Sequence, residues 1–221
     1  MSLWVKICGN TTLADAQLAA DAGADAVGFV FAPSPRRVTV EQVAAITPSL
    51  PSQLEKIGVF VDADFATIAA TVEQCGLTGV QLHSKSAGEL ASQLRERFGR
   101  SLRILQVIHF GDNAAPQLEA AHADAAIDGV LVDSRTATAV GGTGVAFDWQ
   151  AARETIFTDN SPLKLIAAGG LNPANVAQAI ATLRPWGVDV VTGVESSPGH
   201  KDAEKVAEFV ARARSAGDTL T

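Results

Sequence analysis

The sequence predicts an α/β protein built as a (β/α)8 barrel, and three observations support this fold class. Short apolar runs alternate with alanine-rich stretches along the whole chain. The runs are continuous, which is typical of strands buried on both faces of a parallel sheet. Eight runs in 221 residues give about 28 residues per unit, near the lower limit for an eightfold barrel.

Each apolar run predicts one strand. The competing architecture, an open doubly wound sheet, usually has a glycine-rich turn after its first strand, and the segment 8–12, CGNTT, is not one. The predicted strands are Trp4–Cys8, Ala26–Phe31, Lys56–Val61, Gly79–His83, Arg103–His109, Gly129–Asp133, Lys164–Ala168 and Val188–Thr192.

The segments between the runs have helical spacing. Asp64 is predicted to cap the third helix, Asn172 and Pro173 to begin the seventh, and Gly76 and Gly99 to end helices with positive φ. The start of the fifth helix is ambiguous. About eight helices are predicted, and they include Leu13–Ala22, Val40–Ile46, Phe65–Cys75, Ala87–Phe98, Ala114–Ala125, Ala174–Leu183 and Ala203–Ala213.

Composition limits the classes of function. No linker or low-complexity stretch interrupts the chain, so we expect one barrel domain over residues 1–221. The formal net charge is −7, which argues against nucleic acid or an anionic membrane as partner. Cys8 and Cys75 do not form a disulfide framework. No apolar run reaches transmembrane length, and the first residues lack a signal-peptide pattern, so we expect a cytoplasmic protein.

Polar residues gather where the predicted strands end, which is where barrel enzymes place their active sites. Cys8 follows the first strand and is a candidate base or nucleophile if nearby positive charge lowers its pKa. A small buried hydrophobic residue is the alternative. Asp133 ends the sixth strand, where desolvation favours a proton-carrying general acid; a loop-capping carboxylate is the alternative.

Two glycine-rich segments follow the seventh and eighth strands and predict a phosphate site. Gly169 and Gly170 lie in the first, and Thr192 and Gly193 in the second. Glycines there let backbone N–H groups approach a phosphate, and barrel enzymes often place phosphate after these strands; turn geometry alone is the alternative. Residues Gly141, Gly142, Thr143 and Gly144 lie in a long loop that we expect to act as a mobile lid.

Arginine and histidine residues complete the candidates. Arg36 or Arg37 can form a bidentate pair with a carboxylate or phosphate, and the other is expected to be solvated. His83 is either a donor at the rim or a structural residue. The histidines show no metal-ligand spacing with cysteines or carboxylates, so we predict no metal.

Twelve short motifs, in this order along nearly the whole chain, resemble one family. The motifs are Lys6-Ile7-Cys8-Gly9, Gly23–Phe31, Ser34-Pro35-Arg36, Gly58-Val59-Phe60-Val61, Val80-Gln81-Leu82-His83, Asp133-Ser134, Gly141-Gly142-Thr143-Gly144, Phe147-Asp148-Trp149, Ala168-Gly169-Gly170-Leu171, Gly193-Val194-Glu195, Pro198-Gly199 and Lys201-Asp202.

The sequence resembles the phosphoribosylanthranilate isomerases of tryptophan biosynthesis. The resemblance implies a TIM barrel that carries out an Amadori rearrangement without a cofactor, with Cys8 as general base and Asp133 as general acid. It implies that Arg36 holds the anthranilate carboxylate. It also places the phosphate at Gly169 and Gly170 and at the Thr192–Gly193 loop. From the ordinary thiol pKa, we expect a rate limb that rises between roughly pH 6 and 8.5.

The chain departs from the family pattern at three positions. Ser84 and Ser86 stand where the family usually has Gly and Glu, and Val191 stands where it commonly has Ser. The alternatives are another phosphosugar isomerase or epimerase, including a histidine-pathway or bifunctional enzyme, and a non-catalytic phosphate-binding barrel. The expected partners are a small phosphoribosyl substrate and separate tryptophan-pathway enzymes. The expected oligomeric state is a monomer or a homodimer.

Overall fold

Eight parallel strands close into a barrel in which each strand pairs with the next and the eighth pairs with the first. The computed structural model describes residues 2–84, 86–111, 113–133, 148–158, 161 and 163–220. The closed barrel confirms the predicted fold class over the open doubly wound sheet. The strands are β1 (Trp4–Ile7), β2 (Ala26–Val30), β3 (Glu55–Val61), β4 (Gly79–His83), β5 (Arg103–His109), β6 (Gly129–Asp133), β7 (Lys164–Ala167) and β8 (Gly187–Val190).

In the described part of the chain, eight α-helices accompany the eight strands. A small antiparallel pair, β9 (Glu195–Ser197) and β10 (His200–Lys201), separates β8 from the last helix. No helix among the described residues is long and apolar enough to cross a membrane. The helices are α1 (Leu13–Asp21), α2 (Val40–Ile46), α3 (Phe65–Cys75), α4 (Ala87–Phe98), α5 (Ala114–Ala123), α6 (Trp149–Thr155), α7 (Val176–Leu183) and α8 (Ala203–Asp218).

Helix ends follow the local chemistry of the sequence in most places. Asp64 caps α3 by accepting a hydrogen bond from the Thr67 N–H, as predicted. Gly76 ends the same helix with φ 58°, and Gly99 ends α4 with φ 62°, a conformation that glycine adopts at low cost. These ends confirm the predicted capping residues.

The start of α7 differs from the sequence prediction. Asn172 and Pro173 were expected to begin the helix, but it begins at Val176 with Asn175 as N-cap. The Asn172 side chain instead accepts a hydrogen bond from the Ala174 N–H at 2.8 Å, which closes a turn just before the helix. A short asparagine side chain that binds its own backbone two residues on favours such a turn.

Apolar side chains fill the barrel lumen and a second, larger layer between barrel and helices. Successive side chains of a strand point to opposite faces, so alternate residues of each strand share the lumen. The buried apolar residues of the lumen cluster are Trp4, Ala26, Ile57, Leu105, Val107, Leu131, Ile166 and Ala168.

An aromatic and ionic cluster closes the amino-terminal end of the barrel. The rings of Trp4 and Trp186 stack with centroids 5.2 Å apart. Arg103 forms two hydrogen bonds to Glu55 and lies over both tryptophan rings. The ammonium of Lys164 lies 4.6 Å from the Trp186 ring centroid. We call these five residues the basal cluster; it leaves the opposite, carboxyl-terminal rim for a site.

Candidate active site

Cys8 and Asp133 lie at the carboxyl-terminal rim of the barrel, and both residues are 3% exposed. Cys8 directly follows β1, and Asp133 is the last residue of β6. His83 and His109 end β4 and β5 at the same rim, with their ring centroids 6.3 Å apart. The strand ends therefore bring a thiol, a carboxyl and two imidazoles to one end of the barrel.

The Cys8 thiol lies over Gly28 of β2. A Cβ at Gly28 would be 2.4 Å from Cys8 Sγ and 3.1 Å from Lys6 Cε. Lys6 and Cys8 are two residues apart, so both side chains point into the lumen. Gly28 therefore provides the space in which the thiol and the lysine chain meet.

Burial raises the pKa of the Cys8 thiol above its ordinary value. The ammonium of Lys6 acts in the opposite direction and favours the thiolate, but the carboxylate of Asp189 opposes it. The free-energy cost of removing a thiolate from water is larger than the net electrostatic stabilisation that these charges provide. The condition set on Cys8 from the sequence, that nearby positive charge lowers its pKa, is therefore not met.

A buried ion pair lies one layer below the thiol. The Lys6 ammonium, which is fully buried, donates to Asp189 Oδ1 at 2.8 Å and to Gln81 Oε1 at 2.9 Å. Lys6 and Asp189 are also register partners in the β1–β8 pair. Sequence reasoning missed Asp189 and gave Lys6 no role of its own. Their signal is a single charged residue inside an otherwise apolar strand.

Arg36 reaches the rim from the loop after β2 and is fixed by Glu195. Its Nε and Nη2 donate to the two carboxylate oxygens of Glu195 at 2.7 and 2.6 Å. The Arg36 side chain also passes over Gly9, where a Cβ would lie 2.8 Å from Arg36 Cδ. Sequence reasoning did not identify Glu195 as the partner of Arg36.

The β9–β10 pair ties this arginine to the strand that carries the thiol. The fully buried ammonium of Lys201 donates to the Cys8 carbonyl oxygen at 2.6 Å and to Glu195 Oε1 at 3.2 Å. Burial alone would raise the pKa of Glu195, but hydrogen bonds and charge from Arg36 and Lys201 lower it. The Glu195 carboxylate therefore stays ionised between two cations, and it sets the position of Arg36 relative to Cys8.

The two glycine-rich loops pack against each other beside the rim. Gly169 and Gly170 have φ of 81° and 68°. Gly193 lies in the short 3-10 helix Thr192–Val194, and a Cβ there would be 2.0 Å from the Leu171 carbonyl oxygen. Any side chain at Gly193 would push the loops apart. Glycine is therefore required for their close approach.

The lid expectation falls on residues that the structure does not describe. Gly141, Gly142, Thr143 and Gly144 all lie in the segment 134–147, which is outside the described residues. In the part of the chain that is described, no group of three or more His, Cys, Asp or Glu side chains is arranged to hold a metal ion.

The closed barrel, its polar carboxyl-terminal rim and its glycine-rich loops after β7 and β8 define an enzyme of the TIM-barrel class. A family model described as N-(5'phosphoribosyl)anthranilate (PRA) isomerase matches residues 5–212. The chain therefore belongs to the N-(5'-phosphoribosyl)anthranilate isomerase family and is an isomerase.

Individual relatives agree with this assignment. N-(5'-phosphoribosyl)anthranilate isomerase of Geobacter sp. (strain M21) is 42% identical and covers 95% of this chain and 97% of its own. Two crystal structures are each 33% identical to this chain. One shows mutually generated monomers of dimeric phosphoribosylanthranilate isomerase from Thermotoga maritima. The other shows a phosphoribosylanthranilate isomerase in complex with reduced 1-(o-carboxyphenylamino)-1-deoxyribulose 5-phosphate. Each has a TM-score of 0.79 and covers 96% of this chain and 99% of its own.

Proposed function

We propose that this isomerase converts N-(5-phosphoribosyl)anthranilate to 1-(2-carboxyphenylamino)-1-deoxyribulose 5-phosphate in L-tryptophan biosynthesis. The reaction is an Amadori rearrangement, an internal redox step that needs only an acid and a base. The observation that carries the proposal is the placement of Cys8 and Asp133, both 3% exposed, at one rim of the barrel. The family assignment and the relative that binds a reduced form of this product support the substrate.

Asp133 is proposed as the general acid and Cys8 as the general base. Asp133 gives a proton to the furanose ring oxygen, and the ring C–O bond breaks to leave a protonated Schiff base. The Cys8 thiolate then removes the proton from C2′, and the resulting enol amine tautomerises to the ketone. One proton is donated and one is removed, so no oxidant or cofactor is needed.

Arg36 is proposed to hold the anthranilate carboxylate. Its two hydrogen bonds to Glu195 use two of the five N–H donors of the guanidinium. The remaining donors are available for a second carboxylate, in the planar geometry that arginine offers. Because Glu195 fixes the arginine before substrate arrives, little side-chain freedom is lost on binding.

The phosphate is proposed to bind between the loops after β7 and β8, at Gly169, Gly170, Thr192 and Gly193. Gly169 and Gly170 are consecutive glycines with positive φ, and backbone N–H groups in such a turn suit an anion in an otherwise acidic protein. Val191 brings no hydroxyl to this site. We therefore assign most of the phosphate affinity to backbone N–H groups.

The test is isomerase turnover, followed as the loss of substrate fluorescence, in wild type, Cys8→Ala and Asp133→Asn. We expect active wild type and a fall in kcat of at least about a hundredfold in each variant, the usual scale of a lost acid or base. Cys75→Ala and Asp21→Asn are the matched controls, because Cys75 lies in α3 and Asp21 is exposed at the end of α1.

Two outcomes would contradict parts of this proposal. A folded wild type without turnover would favour another phosphosugar isomerase or a binding barrel. Near-normal turnover in Cys8→Ala or Asp133→Asn would remove that residue from its role.

Sedimentation of the same preparations separates monomer from homodimer; the Thermotoga maritima relative is described as dimeric.

A further inference from the structure

A chain of four polar side chains crosses the lumen just below the rim. Lys6 on β1 bonds to Asp189 on β8 and to Gln81 on β4. Gln81 Nε2 lies 3.0 Å from His83 Nε2, two residues further along the same strand. Because β1 and β4 are not neighbours in the barrel, the Lys6–Gln81 hydrogen bond spans the lumen. The proposed acid and base steps leave this chain unused.

The charge of Lys6 decides which group donates and which accepts in each hydrogen bond among these four side chains. Its side chain is fully buried against the Asp189 carboxylate, with Cys8 on the same face of β1. Burial lowers the pKa of Lys6, but attraction to Asp189 and to Cys8 outweighs it and raises the pKa. The group is therefore an ammonium, which has three donors and no acceptor.

The orientation of the Gln81 amide follows in turn. Only its carbonyl oxygen can face an ammonium, so Oε1 accepts from Lys6 and the NH₂ group is turned toward His83. His83 Nε2 must then be the acceptor. A proton on that nitrogen would place two donors 3.0 Å apart. A neutral imidazole whose Nε2 accepts carries its proton on Nδ1.

We propose that the Lys6–Asp189 pair, acting through Gln81, holds His83 in its neutral Nδ1–H tautomer at the catalytic rim. Lys6, Asp189 and Gln81 are then positioning residues, and His83 presents an uncharged imidazole at the rim. An uncharged imidazole does not compete with Asp133 as the acid. Only an effect on turnover depends on the proposed function; the tautomer does not.

The direct test is NMR of the wild-type enzyme with 15N-labelled histidine. The chain has four histidines, and His83→Asn identifies the signals of His83 by their loss. We expect a protonated, pyrrole-like Nδ1 and an unprotonated Nε2 for His83. A hydrogen-bond coupling from the Gln81 NH₂ group to His83 Nε2 is expected in the same sample. An Nε2–H tautomer, or a mixture of both, would overturn the proposal without any variant.

Gln81→Glu replaces the NH₂ donor that faces His83 with a carboxylate oxygen that accepts, and it changes the size of the side chain little. The new carboxylate accepts from Lys6 and also from His83, so the proton of His83 is expected to move to Nε2. Gln81→Met removes the donor and is expected to release a mixture of tautomers. His122 and His200 do not belong to the chain of four polar side chains that crosses the lumen. Their signals should stay unchanged and serve as internal controls. Unchanged His83 signals in both folded variants would contradict the role of Gln81.

Kinetics separate this inference from the proposed function. We expect Gln81→Glu to lower kcat/KM by about tenfold, the scale of one hydrogen bond. In a His83→Asn background the same change should cost no more than about twofold, because the coupled group is gone. Equal losses in both backgrounds would contradict the link to His83. An inactive wild type with an Nδ1–H His83 would overturn only the proposed function.

Discussion

Gly28 is the residue on which the geometry of the thiol depends. A Cβ there would lie 2.4 Å from Cys8 Sγ, far inside van der Waals contact. We expect Gly28→Ala to displace the thiol and to lower kcat by at least about tenfold, with a loss of stability of about 1–3 kcal/mol from overpacking. Turnover and urea unfolding measure the two effects.

Gly111→Ala is the control for this substitution. Apart from the chain neighbours of Gly111, no atom of the described residues lies within 4 Å of a Cβ at this position, and its φ is not positive. It should therefore leave both activity and stability nearly unchanged. Full activity in Gly28→Ala would show that the thiol position seen here does not matter for turnover.

If Cys8 is the general base, as proposed, the pH dependence of kcat/KM reports its thiol in the free enzyme. Because burial raises the pKa of Cys8 above its ordinary value of 9.0, fewer molecules hold the thiolate at neutral pH. We expect a rate limb that rises with pH and has its midpoint above 9.0, rather than between roughly pH 6 and 8.5 as the sequence suggested. Initial rates at low substrate measure it. A midpoint below about 8.5 would mean that Lys6 outweighs burial.

At the residue scale, the sequence identified candidate site residues at the ends of strands, but it did not identify the charged residues within strands. Turns and glycines mark the strand ends near Cys8, Asp133 and Arg36. Because strand ends form the rim of a barrel, the position of these residues follows from the sequence. The Lys6–Asp189 pair joins residues 183 positions apart. Without the order in which the barrel closes, nothing in the sequence tells which lumen charges meet.

The loop after β8 carries the one hydroxyl assigned to the phosphate site. Thr192 begins the 3-10 helix Thr192–Val194, and the neighbouring Gly193 packs against the loop after β7. If backbone N–H groups supply most of the affinity, Thr192→Val should raise KM by less than about tenfold, with kcat unchanged. Steady-state kinetics measure this. A much larger loss would assign the main phosphate contact to the hydroxyl.

At the element scale, propensity and spacing located strands and helices well and their ends less well. The predicted bounds of α2, α3 and α4 match the structure residue for residue, because capping residues or clear periodicity mark them. The α7 start differs, since the Asn172 side chain closes a turn of its own. The β9–β10 pair was not predicted, because strands of three and two residues leave almost no periodic signal.

The whole molecule separates stability from chemistry at its two ends. The basal cluster closes the amino-terminal end, whereas the candidate catalytic groups occupy the opposite rim. Trp186 stacks on Trp4 and also contacts the cations of Arg103 and Lys164. We expect Trp186→Ala to lower the free energy of unfolding by about 2 kcal/mol and to leave kcat nearly unchanged at a temperature where the variant is folded.

Urea unfolding and turnover on the same preparation test this separation. Leu13→Ala is a suitable control, because Leu13 is a large apolar residue that is 40% exposed and should change stability by no more than about 0.5 kcal/mol. A strong loss of kcat in folded Trp186→Ala would show that the two ends of the barrel are coupled.

The parallel sheet was predictable from the continuous apolar runs, and its closure into a barrel from the eight repeated units and the lack of a glycine-rich turn after the first strand. The contacts across the lumen were not. They depend on which strands face each other once the ring is closed, and local pattern carries no record of that.

The contacts of β1 with the last quarter of the chain have a consequence for how the enzyme is made. Strand β1, which precedes Cys8, is synthesised well before Asp189 and Lys201, which bind Lys6 and the Cys8 carbonyl and follow 183 and 193 residues later. At about 5 to 20 residues per second that interval is about 10 to 40 seconds. During it Lys6 and the Cys8 carbonyl lack these two partners, so the contacts around the thiol are complete only after β8 and the β9–β10 pair have been synthesised.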